Sequence, residues 1–258
     1  MLRIRNLTKS FIGLTALNQV ELKVQEGQIY SLIGPNGAGK TTLFNCISGM
    51  IKTNSGIIYF KDVDITYLEP HKRVKLGIGR TFQNIRLFPM LSALENVMAA
   101  RYCRTKSGVI SSIMMMPAEL SERKQTREVA EKLLSDFSLY DKRGIIATEL
   151  TFAEQRRLEL ARALATDPEL LLLDEPAAGM TQKEIIEFIE VIYRLRDSGK
   201  TIFLIEHNVK LVMNISDYIC VLNFGEKIAE GTPLEIQNHP KVIEAYLGGE
   251  GLSLYAKD

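Results

Sequence analysis

Residues 28–42 read QIYSLIGPNGAGKTT, an apolar segment that leads into a glycine-rich turn and then into a predicted helix. Residues 34–41 fit the pattern G-x-x-x-x-G-K-[ST], in the strand–turn–helix context that this pattern requires. Glycines let the backbone curl so that successive N–H groups point inward, and the start of the helix adds the positive end of its dipole. The stretch therefore predicts a cradle for phosphate groups.

The cradle favours ATP with Mg²⁺ as its ligand. Lys40 would reach the β- and γ-phosphates, and the Thr41 hydroxyl would ligate the magnesium. The alternative is a glycine-rich surface turn, which the flanking strand and helix disfavour. The residues predicted to contact the nucleotide in this stretch are Gly34, Pro35, Asn36, Gly37, Ala38, Gly39, Lys40, Thr41 and Thr42.

A second half of the site is predicted at residues 170–176, LLLLDEP, where an apolar strand ends in two acids. Ligands of α/β proteins bind at the carboxyl ends of the strands, so paired acids at such an end are expected to meet a cation or a reactant. Asp174 is predicted to hold the Mg²⁺ shell, and Glu175 to take a proton from the attacking water. The alternative is an ordinary strand end, which the presence of a phosphate loop in the same chain disfavours.

Two further polar residues are candidates for the same site. His207 ends the apolar run 201–207, TIFLIEH, and is predicted to contact the γ-phosphate, although a lone histidine is more often structural. Gln83 lies in the predicted loop that contains RTFQN, and by itself a loop glutamine indicates only a solvated surface.

The order of the predicted elements indicates the fold class. Strand patterns at 2–11 and 16–24 alternate with one buried face, whereas residues 29–33 form a predicted central strand that is buried on both faces. Helical periodicity takes over between about Pro89 and Ala165, and a capping box is predicted at Ser92 and Glu95. Strands then alternate with helices again. This order predicts an α/β fold with a largely parallel sheet and a helical insert.

Composition narrows the function classes. The 32 basic residues nearly cancel the 31 acidic ones, which argues against a dedicated nucleic-acid binder. The three cysteines have no metal-ligand spacing, which indicates reduced, buried thiols. No signal peptide is predicted, and the apolar stretch from Val109 to Met116 is far shorter than the roughly 20 residues of a membrane span. We expect a soluble chain that reaches any membrane through a partner.

The motifs together resemble the ATPase subunits of ABC transporters, over nearly the whole chain. The phosphate loop, the loop with Gln83, LTFAEQRRLELARAL (150–164), LLLDEP and IEH follow that family's order and spacing. The chain is most similar to the larger, G-type ATPases of branched-chain amino-acid uptake. The stretches similar to that subfamily are residues 77–100, the insert SGVISSIMMM, DEPAAGM and the tail GTPLEIQNHPKVIEAYLG.

The resemblance implies a P-loop ABC-type ATPase with an antiparallel β subdomain. The implied nucleotide-binding core covers about 1–88 and 166–258, and the implied helical subdomain covers about 89–165. Phe11 would stack on adenine, although an aromatic residue on an edge strand can also belong to the core. Gln83 would contact Mg²⁺ or the attacking water and join Glu175 and His207 as catalytic residues.

The resemblance also implies the partners and the place of action. Two ATPases would sandwich each ATP between the phosphate loop of one and the signature helix of the other, with Ala178, Gly179 and Met180 crossing to the partner. The second ATPase is generally a different chain in this subfamily. Transmembrane permease subunits would anchor the pair at the cytoplasmic face of the membrane, and a solute-binding protein outside would act indirectly. No nucleic acid is expected.

The signature is where the family pattern breaks. The family has LSGGQ or a close variant, whereas residues 150–154 read LTFAE. Thr151 keeps a hydroxyl, and Ala153, with its methyl group, replaces a glycine. Glu154 brings a negative charge, which at ~4 Å and an effective dielectric constant of ~20 would repel another negative unit charge by ~4 kcal/mol, before any offset by Mg²⁺ and lysine. Thr151 and Glu154 also fit a capping box, in which the acid folds back onto the helix start. We expect Thr151, Ala153 and Glu154 to contact the nucleotide of the partner's site, and the two sites to be unequal.

Three further questions stay open at the level of sequence. The apolar insert around Met114, Met115 and Met116 favours a core position, with a contact to the transmembrane subunits as the alternative. Another cargo, such as urea, other amino acids or a lipid, would use the same catalytic residues. Two rival functions also compete with transport. One is that of a soluble ABC ATPase, which usually carries a long coiled coil or two cassettes, and the other is that of a regulatory module without turnover, which only the altered signature favours.

Overall fold

The computed structural model describes residues 1–104 and 117–247. The chain divides into two compact units, Met1–Arg73 with Leu172–Asp258 as the first and Val74–Leu171 as the second. The limits of the nucleotide-binding core and the helical subdomain, which the resemblance places near residues 88 and 166, stay a prediction. The apolar insert from Val109 to Met116 lies outside the described residues, and so do both hypotheses about its role.

Strands and helices alternate along the described chain. The strands are β1 (Leu2–Phe11), β2 (Leu14–Val24), β3 (Ile29–Ile33), β4 (Ser55–Phe60), β5 (Val63–Asp64), β6 (Ile78–Arg80), β7 (Leu170–Asp174), β8 (Thr201–Ile205), β9 (Tyr218–Asn223) and β10 (Glu226–Gly231). The helices are α1 (Lys40–Ile47), α2 (Pro70–Leu76), α3 (Ala93–Arg101), α4 (Pro117–Asp136), α5 (Phe152–Ala165), α6 (Gln182–Asp197), α7 (Val209–Ile215), α8 (Pro233–Gln237) and α9 (Pro240–Leu247).

The first unit contains an antiparallel sheet in the order β2-β1-β4-β5. Along β2, the buried residues Leu17, Val20, Leu22 and Val24 are separated by exposed ones over most of the strand. The alternation predicted for the first two strands is therefore confirmed, because one face of this sheet supplies part of the core and the other meets water.

The core sheet of the first unit runs in the order β10-β9-β3-β8-β7. Strand β3 pairs in parallel with both β8 and β9. Strand β10 pairs antiparallel to β9 and is the outermost strand on that side of the sheet. All five residues of β3 are buried, and so are all five of β7 and of β8. The predicted central strand, covered on both faces, is confirmed, and with it the largely parallel α/β sheet.

The second unit is mainly helical, as the periodicity of its sequence predicts. Helices α3, α4 and α5 pack against one another through buried apolar residues that include Val97, Leu134 and Leu158. The predicted capping box at Ser92 and Glu95 is present at the start of α3. Strand β6 precedes these helices and lies beside the first residues of β7. Within residues 1–104 and 117–247, no helix has the length and apolar character needed to span a bilayer.

Arg73 stabilises the end of α1 by hydrogen bonds to backbone carbonyl groups. Arg73 is 2% exposed, and its guanidinium group donates to the carbonyl oxygens of Cys46 at 2.6 Å and Ile47 at 2.7 Å. It also donates to those of Thr66 at 2.9 Å and Leu68 at 2.8 Å. The last carbonyls of a helix have no partner within the helix, so one planar donor here satisfies two of them and two from the loop before α2.

Arg73→Met is expected to lower the free energy of unfolding by about 3 kcal/mol or more, because it removes a donor from four backbone carbonyl oxygens. Of these, the carbonyl oxygen of Cys46 keeps another partner, the N–H of Gly49 at 3.2 Å. Urea denaturation at constant m-value measures the loss. Lys72→Met is the matched control, since Lys72 is exposed and its ion pair with Glu69 is 3.5 Å long; its effect is expected to stay within about 0.5 kcal/mol. Equal stabilities of the two variants would contradict this account of Arg73.

Candidate active site

The predicted phosphate loop connects β3 to α1 and encloses the ammonium group of Lys40. This group donates to the carbonyl oxygens of Gly34 at 2.7 Å and Pro35 at 3.0 Å. Lys40 is only 6% exposed, and its burial lowers the pKa of the amine, while the charges of Glu175 and Asp174 act to raise it. A desolvated cation of this kind gains free energy when an anion comes into contact with it.

Two glycines of the loop adopt left-handed backbone conformations for different reasons. At Gly39 (φ +99°) an added Cβ would lie 2.4 Å from the carbonyl oxygen of Ala16, so packing excludes a side chain. At Gly37 (φ +79°) an added Cβ would meet nothing within 4 Å among the described residues, so only the backbone conformation requires glycine there. The loop therefore combines close packing on one side with an open side where phosphate oxygens could approach the backbone.

The two acids that follow the buried strand β7 have different environments. Asp174 is 1% exposed. Glu175 has a left-handed backbone (φ +49°), and its N–H donates to the carbonyl oxygen of Ile205 at 2.9 Å. A non-glycine residue in that region is strained and is found mostly where the surrounding structure holds it in place. The chain thus turns sharply at Glu175, directly after the end of the strand.

His207 and Glu175 meet at this edge of the sheet. The distance from His207 Nε2 to Glu175 Oε1 is 2.7 Å, and the side chains are 45% and 15% exposed. His207 follows β8, which lies next to β7 in the sheet, so the structure brings the two predicted strand ends together. A carboxylate held by an imidazole beside a phosphate loop is an arrangement that can accept a proton from water.

The chemistry of the donor set fits magnesium and a triphosphate. Mg²⁺ prefers oxygen ligands and is usually held by one or two carboxylates together with substrate phosphates. Asp174 offers a carboxylate, Thr41 offers a hydroxyl in the first turn of α1, and Lys40 offers a cation for the phosphates. A carboxylate, a hydroxyl and an ammonium group are the functional groups that a Mg²⁺–triphosphate complex requires.

Phe11 is 48% exposed at the end of β1, where it pairs with Leu14 across the hairpin. The expectation that it lies on an edge strand is wrong, because β1 lies between β2 and β4. Phe11 is still open on one side, since the pairing of β1 with β4 ends at Thr8 and Ser55. The ammonium of Lys9 lies 4.9 Å from its ring centroid. An accessible ring of this kind is available for stacking on a base.

Gln83 lies in the second unit, in an exposed bend, and α5 holds the backbone on both sides of it. Arg156 donates to the carbonyl oxygens of Phe82 and Gln83. Glu159 accepts from the N–H groups of Phe82 and Arg86, both at 3.3 Å, and pairs with Arg156 at 3.2 Å. The helix that begins at the signature therefore also fixes the loop of Gln83, a connection that sequence reasoning missed.

The capping box at the altered signature is confirmed. Thr151 Oγ1 accepts from the N–H of Glu154, and Glu154 Oε2 accepts from the N–H of Thr151. Sequence reasoning missed the second partner of this acid, since Lys142 donates to Glu154 Oε1 at 2.6 Å. The bond from Lys142, followed by those from Thr151, lowers the pKa of the Glu154 carboxyl, although partial burial opposes them.

Comparison with known proteins agrees with this geometry. A family model described as "ABC transporter" matches residues 17–178, and one described as "Branched-chain amino acid ATP-binding cassette transporter" matches residues 226–251. The chain is 43% identical over 249 residues to the high-affinity branched-chain amino acid transport ATP-binding proteins BraF of Pseudomonas aeruginosa and LivG of Escherichia coli, a length that covers 96% of this chain and 98% of each relative.

More distant relatives share the fold. Identity to LptB of Escherichia coli, the ATP-binding protein of a lipopolysaccharide export system, is 35% over 96% of this chain and 97% of that protein. A nucleotide-free ATP-binding cassette from an ABC transporter superposes with a TM-score of 0.83 at 33% identity, over 95% of this chain and 98% of the other. A dimeric cassette bound to ADP and phosphate superposes with a TM-score of 0.78 at 27% identity, over 90% and 99%.

Glu154→Gln tests the ion pair with Lys142, because glutamine can keep the capping box but carries no charge. The folded-state pKa of Glu154 is lowered, so the pair contributes stability above the ordinary glutamate value of 4.5 and loses it as pH falls through the lower folded value. The wild type is expected to exceed the variant by about 0.5–1 kcal/mol at neutral pH, and the difference should shrink in acid.

Denaturant unfolding from neutral to acid pH measures this difference. Glu149→Gln is the control, since Glu149 is an exposed acid of the same unit, and the stability of this variant is expected to match that of the wild type within about 0.5 kcal/mol. If Glu154→Gln is as stable as the wild type at every pH, the pair with Lys142 makes no contribution.

Proposed function

The chain belongs to the family of ABC transporter ATP-binding subunits, and from that premise we propose that it hydrolyses ATP to drive an importer of branched-chain amino acids. The observation that carries the choice of cargo is the 43% identity to BraF and LivG over nearly the whole of each chain. The match of residues 226–251 to a branched-chain amino acid cassette model supports it independently of the phosphate loop.

We assign the phosphate loop to the β- and γ-phosphates of ATP. Lys40 would exchange the carbonyl oxygens of Gly34 and Pro35 for phosphate oxygens, which relieves the desolvation of its ammonium group. The hydroxyl of Thr41 and the carboxylate of Asp174 would hold Mg²⁺, with Gln83 as a further ligand. Bound magnesium would neutralise charge on the phosphate oxygens. Phe11 would stack on the adenine.

We assign hydrolysis to Glu175. Its carboxylate would take a proton from a water whose oxygen attacks the γ-phosphorus in line, as the bond to the leaving ADP oxygen breaks. His207 would contact the γ-phosphate, as its sequence position predicts, and the 2.7 Å contact with Oε1 gives it a second role in holding the carboxylate. Gln83 would help to orient the water.

We propose that the chain acts at the cytoplasmic face of the cell membrane as a peripheral subunit. Its partners would be transmembrane permease subunits, a second ABC ATPase of a different sequence and, indirectly, a solute-binding protein; no nucleic acid is involved. LptB, with its lipid cargo, is the less similar relative at 35% identity. Branched-chain amino acids are therefore favoured over a lipid.

Glu175→Gln is expected to keep ATP binding, because Lys40 and the loop are unchanged, and to lower kcat by about a hundredfold or more through loss of the base. The measurement is ATP hydrolysis and leucine uptake by the transporter co-purified on this chain and placed in vesicles. Glu187→Gln, on the exposed face of α6, is the control. Undiminished hydrolysis would remove the assigned base, and hydrolysis stimulated by another solute but not by leucine, isoleucine or valine would contradict the cargo.

The two ATP sites of the assembled pair are expected to turn over unequally, with the phosphate loop of this chain in the more active site. Its own signature, which completes the other site, carries the methyl group of Ala153. Ala153→Gly should speed that other site, and relief of about 1 kcal/mol would give about a fivefold gain. Site-resolved trapping of nucleotide measures both sites. Equal turnover at the two loops in the wild type would contradict the asymmetry.

A further inference from the structure

Glu206 is a buried acid to which the proposed function assigns no role. It follows the last residue of β8 and is 5% exposed. Burial raises the pKa of its carboxyl, the nearby charge of Glu175 acts in the same direction, and three backbone hydrogen bonds oppose both. A buried carboxylate is unfavourable unless its oxygens are hydrogen-bonded, so its partners indicate what it is for.

Both oxygens of Glu206 accept backbone hydrogen bonds, and they do so from two different turns. Oε1 accepts from the N–H of Ala177 at 2.8 Å, in the turn after β7. Oε2 accepts from the N–H of His207 at 3.0 Å and from that of Asn208 at 3.4 Å, in the turn after β8. One side chain thus bridges the ends of two neighbouring strands.

The two bridged turns carry the side chains that meet in the candidate active site. Glu175 precedes Ala177 by two residues, and its own N–H donates to the carbonyl oxygen of Ile205 at 2.9 Å. Two hydrogen bonds therefore connect the two turns whose side chains, Glu175 and His207, are in contact. One runs from the N–H of Glu175 to the carbonyl oxygen of Ile205, and the other from the N–H of Ala177 to the carboxylate of Glu206. Because Glu175 has a strained left-handed backbone, connections of this kind are what keep its side chain in one place.

We propose that Glu206 is a positioning residue for ATP hydrolysis, which fixes the separation of Glu175 and His207 by holding the backbone N–H groups of Ala177 and His207. The proposal rests on the proposed function of the same site. Glu206 acts through the backbone and does not touch the nucleotide, so its loss affects the rate of the chemical step and leaves ATP binding at the phosphate loop in place.

The arrangement requires a carboxylate and not merely a polar side chain. An ionised carboxylate offers acceptors on both oxygens, whereas glutamine has one acceptor oxygen and an NH₂ group that only donates. In Glu206→Gln, the NH₂ group would face either the N–H of Ala177 or the N–H of His207. Two donors facing each other push the turns apart, and one buried N–H loses its partner.

The test compares Glu206→Gln with Glu230→Gln. Glu230 lies on β10 of the same unit, is 19% exposed and accepts hydrogen bonds from Tyr30 and Lys227, so its substitution removes a comparable carboxylate from another part of the sheet. Glu206→Gln is expected to lower kcat about tenfold or more, since a small misplacement of catalytic groups costs up to about a hundredfold. The dissociation constant for MgATP is expected to change less than about twofold, and Glu230→Gln to change neither.

Two further readouts separate positioning from stability. NMR signals of the His207 ring are expected to shift in Glu206→Gln and to stay unchanged in Glu230→Gln. Glu206→Asp keeps the charge and both acceptor oxygens, but its side chain is one methylene shorter and cannot reach both turns equally well, so it is expected to lower kcat measurably but less than Glu206→Gln. If Glu206→Gln does not fold, Glu206→Asp decides: a lowered kcat with unchanged ATP affinity supports the proposal, and an unchanged kcat overturns it.

An unchanged kcat in folded Glu206→Gln overturns the proposal, and so does a parallel loss of kcat, ATP affinity and thermal stability, which would make Glu206 a structural residue only. These results are distinguishable from a failure of the proposed function. If the wild type hydrolyses ATP and Glu175→Gln does not, a normal Glu206→Gln removes only the role of Glu206.

Discussion

The parallel pairing of buried strands β3 and β8 is the constraint on which the candidate active site depends. Leu32 pairs with Ile205, so the phosphate loop that starts at Gly34 and the turn that contains His207 leave the sheet at the same edge. Each buried Leu or Ile contributes about 1.5–3 kcal/mol, and a shift in register would cost many such contacts. The apolar strands thus fix where the charged residues that follow them must lie.

The parts of the fold that follow from local pattern could be predicted from the sequence. The five consecutive buried residues of β3 and of β7 correspond to mainly apolar runs, with Ser31 inside the first and Asp174 at the end of the second, and the capping boxes at Ser92 and Thr151 correspond to pairs three residues apart. The phosphate loop combines a fixed spacing with a strand and a helix on either side. In each case the physical cause acts within about ten residues, which is the range over which a sequence pattern carries information.

What could not be predicted depends on contacts between distant segments. In the sequence, Glu206 directly follows the apolar residues 202–205, but nothing in the sequence connects Glu206 to Ala177 or shows that both of its oxygens bond to backbone groups. The prediction that Phe11 lies on an edge strand is wrong for the same reason. The strand β4, more than forty residues later, returns to pair with β1 on the side that the local pattern leaves open.

At the altered signature, the structure distinguishes the effect of the charge of Glu154 from the steric effect of the methyl group of Ala153. A carboxylate near a triphosphate would be repelled strongly, but Glu154 is paired with Lys142 at 2.6 Å and bonded to the start of its own helix. Pairing and capping both satisfy the charge locally, so its field at a distance is largely cancelled. The methyl group of Ala153 has no such compensation. An inequality between two ATP sites would then arise from steric hindrance at Ala153 and not from the charge of Glu154.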